Sequence, residues 1–209
     1  MKLLYLFIVA TIVSIGNVAS DAFEFFRGDK KTSYSNVHDG DIIFQTSSGD
    51  LSKAIQLATH SVYSHCGIIF YDGGKPFVYE AVQPVQKTAL NEWIDRGAGN
   101  KYVIKSLADK KLLTSSSIQE MKNNCSTFLG KNYDIYFGWS DERIYCSELV
   151  WKVYKNVLNI EVGKVQQLKD FDLTHPLVKQ KLKEHYGNDV PLNEKVISPQ
   201  AIFESYLLK

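Results

Sequence analysis

His65-Cys66-Gly67-Ile68-Ile69-Phe70-Tyr71, Asp72-Gly73-Gly74-Lys75 and Phe77-Val78-Tyr79-Glu80-Ala81-Val82 follow one another closely along the chain. The outer segments are rich in β-branched and aromatic residues, and turn formers separate them, so the stretch reads as a β-hairpin. Side chains alternate across a strand. His65, Gly67 and Ile69 therefore share one face, joined by Tyr63 if the strand begins early, while Cys66 points with Ile68 and Phe70. In the second strand Val78, Glu80 and Val82 share a face. A tight Asp72-Gly73 turn sets His65 opposite Glu80, but it places Pro76 where a missing N–H is a defect. A longer loop from Asp72 to Lys75 sets Glu80 opposite Gly67 and diagonal to His65. Either register keeps His65 and Glu80 on one face, within side-chain reach. A polar ring opening a buried strand needs a partner, and Glu80 supplies one. The plainer reading is a satisfied buried pair without chemistry. Gly67 leaves room beside it for another element or for substrate.

Outward from the hairpin, Gly40 to Gln45 reads as a strand after a turn. Leu51, Ala54, Ile55 and Ala58 recur at helical spacing, giving a short amphipathic helix to Thr59. Leu90 to Asp95 is a helical turn or slightly more, and Tyr102 to Ile104 is another core strand. Ile118, Met121, Cys125 and Phe128 mark one face of a helix over Ser115–Leu129. Tyr133 to Trp139 is aromatic and irregular, and can line a cleft. Tyr145 to Leu158 is a strong helix carrying Leu149, Val150, Val153, Tyr154 and Val157 on one side. Leu177 to Tyr186 reads as a basic, exposed helix. Ser198-Pro199 is an N-cap followed by proline at the first helical position, opening a last helix to Tyr206. Strands in the middle with helices around them predict an α+β domain with a central antiparallel sheet packed by helices.

Cys146 stands at the start of the Tyr145–Leu158 helix. Free N–H groups and the helix dipole favour a thiolate there, and can hold an oxyanion formed beside it. A cysteine at that position can also simply pack, as buried thiols commonly do. Cys66 and Cys125 fit the packing role better, and a disulfide between them is an open possibility. A nucleophilic cysteine needs a base, and the base an orienting group. Of five histidines, His38, His60, His175 and His185 read as solvated or structural, which leaves His65. Cys146 as nucleophile, His65 as base and Glu80 as the group that orients His65 form a possible triad, with Tyr145 and Tyr63 as candidate substrate contacts.

Composition removes other classes. The chain has 209 residues, enough for one domain with a sizeable core. Its 24 basic against 23 acidic side chains give no global field for nucleic acid. Three cysteines without a CxxC pair, and histidines without metal-ligand spacing, imply no metal. No glycine-rich phosphate loop appears, and no cofactor is expected. Lys2, the apolar run to about Ile15 and Val18-Ala19-Ser20 have the order of a secretory signal, with cleavage near Ser20. That run is short for a membrane anchor, and no other segment is long and apolar enough to span a bilayer. The expected organisation is a signal over residues 1–20 and a single hydrolase domain over 21–209, secreted or periplasmic. Oligomeric state is not encoded in these features.

Several blocks resemble the YiiX/YaeF-like permuted papain-fold amidases. They are Gly40-Asp41-Ile42-Ile43-Phe44-Gln45, Lys53 to His60, Tyr63-Ser64-His65-Cys66-Gly67, Tyr79-Glu80-Ala81-Val82, Leu129 to Asp134, Tyr145-Cys146-Ser147-Glu148-Leu149-Val150-Trp151-Lys152-Val153-Tyr154 and Ser198-Pro199-Gln200-Ala201. The resemblance implies a circularly permuted NlpC/P60 (papain-like) cysteine hydrolase fold, with Cys146 as nucleophile, His65 as base and Glu80 as third polar residue. Cys66 after the histidine departs from the family pattern, where a varied residue is expected. Fold membership leaves substrate open. An amide of a cell-wall peptide or an acylated amine comes first. A lipid ester or acyl-transfer substrate comes second, with Tyr133, Tyr136, Phe137 and Trp139 able to receive an acyl chain. A non-catalytic binding domain comes third. The Lys179–Lys183 run reads as a solvated face.

Overall fold

Alternation along four short apolar segments builds the centre of the molecule. The structure, a computed structural model, describes residues 36–209, and the expected signal at 1–20 lies outside the described residues. Strands β1 (Ile42–Gln45), β2 (His65–Asp72), β3 (Lys75–Glu80), β4 (Gln86–Ala89) and β5 (Tyr102–Lys105) form one sheet in the order β4-β3-β2-β1-β5. Every neighbouring pair is antiparallel. Helices α1 (Asp50–Thr59), α2 (Leu90–Asp95), α3 (Ser115–Ser126), α4 (Cys146–Leu158), α5 (Pro176–Tyr186) and α6 (Pro199–Phe203) surround it. Two further pairs of short strand segments are absent from the sequence reading: β6 (Asn132–Tyr133) with β7 (Arg143–Ile144), and β8 (Gln166–Gln167) with β9 (Lys195–Val196). The last helix stops at Phe203 rather than Tyr206.

The hairpin takes the second of the two expected registers. Tyr71 faces Pro76 and Ile68 faces Tyr79, yet Asp72 and Lys75 also pair, so the turn is Gly73-Gly74 alone. Both glycines have positive φ, 56° and 77°. A primed hairpin turn needs this at both central positions, and glycine adopts it without steric cost. Pro76 then falls at a pair that needs no N–H from it.

The two faces of the sheet do different work. Ile42, Phe44, Cys66, Ile68, Phe70 and Tyr79 pack with Met121 and Cys125 of α3 and with Leu149, Val150 and Val153 of α4. On the other face lie His65, Gly67, Val78, Glu80 and Thr88, covered by Trp93 of α2. The room at Gly67 is therefore not used by the cysteine helix. A Cβ there would stand 2.5 Å from Val78 Cγ1 and 2.8 Å from the Tyr79 carbonyl oxygen. Gly67→Ala is expected to destabilise the fold by about 1–3 kcal/mol through overpacking. Thermal unfolding should show it as a loss of roughly 2–4 °C in Tm for each kcal/mol.

Candidate active site

Local structure places each of the three polar candidates. His65 opens β2, Glu80 closes β3, and Cys146 is the first residue of α4. The start of α4 is held from several sides. The Tyr145 N–H donates to Glu148 Oε2 at 3.3 Å, one turn ahead. Lys152 Nζ stands 2.8 Å from the other Glu148 oxygen and 2.6 Å from Asp141. The Ser147 hydroxyl donates to the Ile197 carbonyl at 2.8 Å, and the Ile197 N–H returns to the Tyr145 hydroxyl at 3.1 Å. This clips the segment before Ser198-Pro199 onto the turn that carries Cys146. Burial holds the Glu148 carboxyl up at about 7, against the pull of Lys152.

His65 Nε2 lies 2.7 Å from Glu80 Oε2, with Glu80 wholly buried. The ring's remaining nitrogen is the one left for Cys146, whose sulfur is in hydrogen-bonding contact with His65. Burial works against charge on the ring, but the Cys146 sulfur and the Glu80 carboxylate outweigh it and lift His65 to about 9. Burial likewise works against charge on Glu80. His65, Thr88 and Arg96 overcome it and hold its carboxyl down at about 2. The Thr88 hydroxyl donates to Glu80 Oε1 at 2.6 Å, and Arg96 Nη2 donates to the same oxygen. Trp93 stacks on the His65 ring at 5.7 Å between centroids.

Cys146 is also reached by Cys66. The side chain and backbone of Cys66 both draw the Cys146 thiol down. The thiol contact is the largest influence drawing Cys146 well below an ordinary cysteine; burial opposes it, and His65 adds to it. Burial and the adjacent thiolate push Cys66 the other way, so it is the protonated partner. All three cysteines are free, so the possible Cys66–Cys125 disulfide does not form.

The arrangement is chemically capable. A thiolate at a helix N-terminus, an imidazolium beside it and a charged carboxylate behind the ring are the parts of nucleophilic acyl transfer. Tyr145 borders the cleft that opens at Cys146. Tyr63 does not. Its ring packs on Phe44 and Phe203, at 5.9 and 4.4 Å, because the chain turns it inward before β2 begins. Elsewhere His60 pairs with Asp172 at 3.3 Å, and His175 Nδ1 caps α5 by accepting from the Leu177 N–H at 3.1 Å. Asp134 receives the N–H groups of Tyr136 and Gly138 at 3.0 and 2.9 Å, which folds the aromatic loop so that Tyr133 and Phe137 face the cleft.

Thr88, Arg96, Trp93 and the thiol of Cys66 were not singled out from sequence. β4, which brings Thr88 to Glu80, is a polar run without alternation, and Arg96 reaches the site from beyond α2. The Cys66 signal was present, as a residue unusual at its place after the histidine. Among the described residues, no group of three or more His, Cys, Asp or Glu could hold a metal ion. No helix among them is long and apolar enough to cross a membrane.

The model of the permuted papain-like amidase enzymes, YaeF/YiiX, C92 family, matches residues 36–209. The YiiX protein of Escherichia coli strain K12 is 51% identical over 166 residues, covering 79% of this chain and 81% of that protein. The crystal structure of YiiX from Escherichia coli O157:H7, described as a metalloprotein, aligns with a TM-score of 0.79 at 50% identity, over 82% of this chain and 94% of that one. The α+β fold with its antiparallel sheet is thus a permuted papain-like one, and the chain belongs to the C92 family of permuted papain-like amidases, a family of cysteine hydrolases.

Proposed function

We propose that this thiol amidase works through Cys146, His65 and Glu80 and acts outside the cytoplasm, as the signal-like residues 1–20 suggest. The Cys146 thiolate attacks the amide carbon, and the C=O electrons move onto oxygen. N–H groups of the first α4 turn stabilise that oxyanion. His65 gives its proton to the leaving nitrogen, the C–N bond breaks, and the acyl group remains on sulfur. Water then attacks, His65 takes its proton, and the C–S bond breaks to release the acid. Glu80 orients the ring and supports its charge in both halves. One observation carries the reading: a single imidazole is held at Nε2 by a buried carboxylate while its other side meets the thiol at the head of α4. A binding domain without catalysis has no use for that contact.

The pH profile tests it. His65 is charged below about 9 and loses its proton above it, so kcat/KM should fall as pH rises through that value. Glu80→Gln removes the carboxylate that holds the ring proton. The falling limb should then move to lower pH, and kcat should drop about 10²–10⁴-fold. An unmoved limb in that variant overturns the assignment of Glu80.

A further inference from the structure

Glu80 stands behind the His65 ring, and its two oxygens are divided among three donors. Oε2 faces His65 Nε2 at 2.7 Å, while Oε1 accepts from the Thr88 hydroxyl at 2.6 Å and from Arg96 Nη2. Thr88 comes from β4, and Arg96 is the residue that caps the C-terminus of α2. The Glu80 side chain is wholly buried, whereas that of Arg96 is 43% exposed. A guanidinium thus reaches in from the surface to a charge that water does not solvate. The chain around Arg96 is docked on the site from both sides. Trp93, one turn earlier, stacks on the His65 ring. Gly97, the next residue, lies against β1, where a Cβ would run into Gln45 Oε1. Gln45 is the β1 residue that faces His65 across the sheet.

The catalytic cycle gives this arrangement a use. His65 alternates between imidazolium and imidazole, so the cation in front of Glu80 comes and goes. The charged groups that meet Glu80 are His65 from β2 and Arg96 from the end of α2; those that meet His65 are Glu80 from β3 and Cys146 from α4. Arg96 is the cation of this set that never gives up its proton. It compensates the buried carboxylate while the ring is neutral. It also takes a share of the negative charge that would otherwise serve only to hold the ring proton. The imidazolium is then a stronger acid toward the leaving nitrogen than a carboxylate acting on it alone would leave it.

We infer that Arg96 is a positioning residue that acts through Glu80 to set how readily His65 gives up its proton. This rests on the triad reading above. Arg96 transfers nothing itself: it donates a hydrogen bond to Glu80 Oε1 throughout, and His65 carries the one proton that moves to the leaving nitrogen and the one taken from water.

The test compares Arg96→Gln, Arg96→Lys, Glu80→Gln and the double variant Glu80→Gln/Arg96→Gln in the full chain. Histidine-labelled ¹⁵N NMR reads the titration of the His65 ring in each protein, active or not, with the His65 signals assigned by their loss in His65→Gln. The falling limb of kcat/KM on an N-acyl amide reads the same group during turnover. We expect Arg96→Gln to raise the midpoint by about half a pH unit or more, because the carboxylate is left to the ring while Thr88 keeps it aimed. Near pH 7 kcat should fall about three- to tenfold, as the leaving nitrogen meets a weaker acid. Arg96→Lys restores the charge and should return most of the shift. On the Glu80→Gln background, Arg96→Gln should move the midpoint no further. Melting curves check each fold, and Arg96→Met, which keeps the aliphatic stem, takes the place of an Arg96→Gln that does not fold. A midpoint that stays or falls in the folded Arg96 variant, or a shift that persists without the Glu80 carboxylate, overturns the inference and leaves the triad standing. A midpoint unmoved by Glu80→Gln overturns both.

Discussion

Cys146→Ser is expected to lower kcat/KM by about 10⁴-fold or more, and Cys146→Ala to abolish turnover. Serine is nearly the same shape, so the fold and cleft stay intact and the loss measures chemistry. The Cys66 thiol and the His65 ring beside it draw the Cys146 thiol well below an ordinary cysteine. A serine hydroxyl is far too weak an acid for the same partners to ionise, and it must rely on proton removal during attack by a ring that already holds its proton. Steady-state rates with an N-acyl amide, together with intact mass, make the check. The wild type should carry a transient acyl increment on Cys146 that both variants lack. Substantial residual hydrolysis by Cys146→Ala would place the nucleophile elsewhere.

His65→Gln should be nearly as severe, about 10³–10⁴-fold in kcat, in line with removal of a triad member elsewhere. Two functions disappear together. The leaving nitrogen has no proton donor, and Cys146 loses a cation that favours its thiolate. The second loss has its own readout: alkylation of Cys146 by iodoacetamide near pH 6 should slow markedly, whereas a merely structural histidine would leave it unchanged. Folding should survive the substitution, because the buried Glu80 carboxylate keeps Thr88 and Arg96 as partners. If alkylation at pH 6 is as fast in the variant as in the wild type, His65 does not set the state of the thiol.

Much of this was legible in the residues. Runs such as Ile68-Ile69-Phe70-Tyr71 and Leu149-Val150 with Val153-Tyr154 carry their period openly, so the hairpin and the cysteine helix can be read directly. His65 and Glu80 could be set on one face without knowing the register, since both choices differ by an even step. Of the two registers left open, the one set by the Asp72–Lys75 loop forms, because the demand for positive φ at two successive positions is met by Gly73-Gly74 and not by Asp72-Gly73. β4 stayed hidden because Gln86-Lys87-Thr88-Ala89 has no apolar alternation and owes its strand state to pairing with β3. What an aromatic ring or the apolar side of a helix touches depends on elements far away in sequence, Phe203 for Tyr63 and α1 for α5.

The meeting of Cys146 with His65 and Cys66 has a consequence for how the protein comes into being. The hairpin is made of neighbouring residues, but the thiol joins it from much later in the chain, and such distant closures come late in folding. Until α4 docks on the sheet, Cys146 is an ordinary thiol, protonated at neutral pH and slow to react. Its acidity belongs to the finished tertiary structure, so a nascent or partly unfolded chain carries no activated sulfur to modify its surroundings or itself. The rate at which this one cysteine reacts is therefore a gauge of how much of the population has completed its fold.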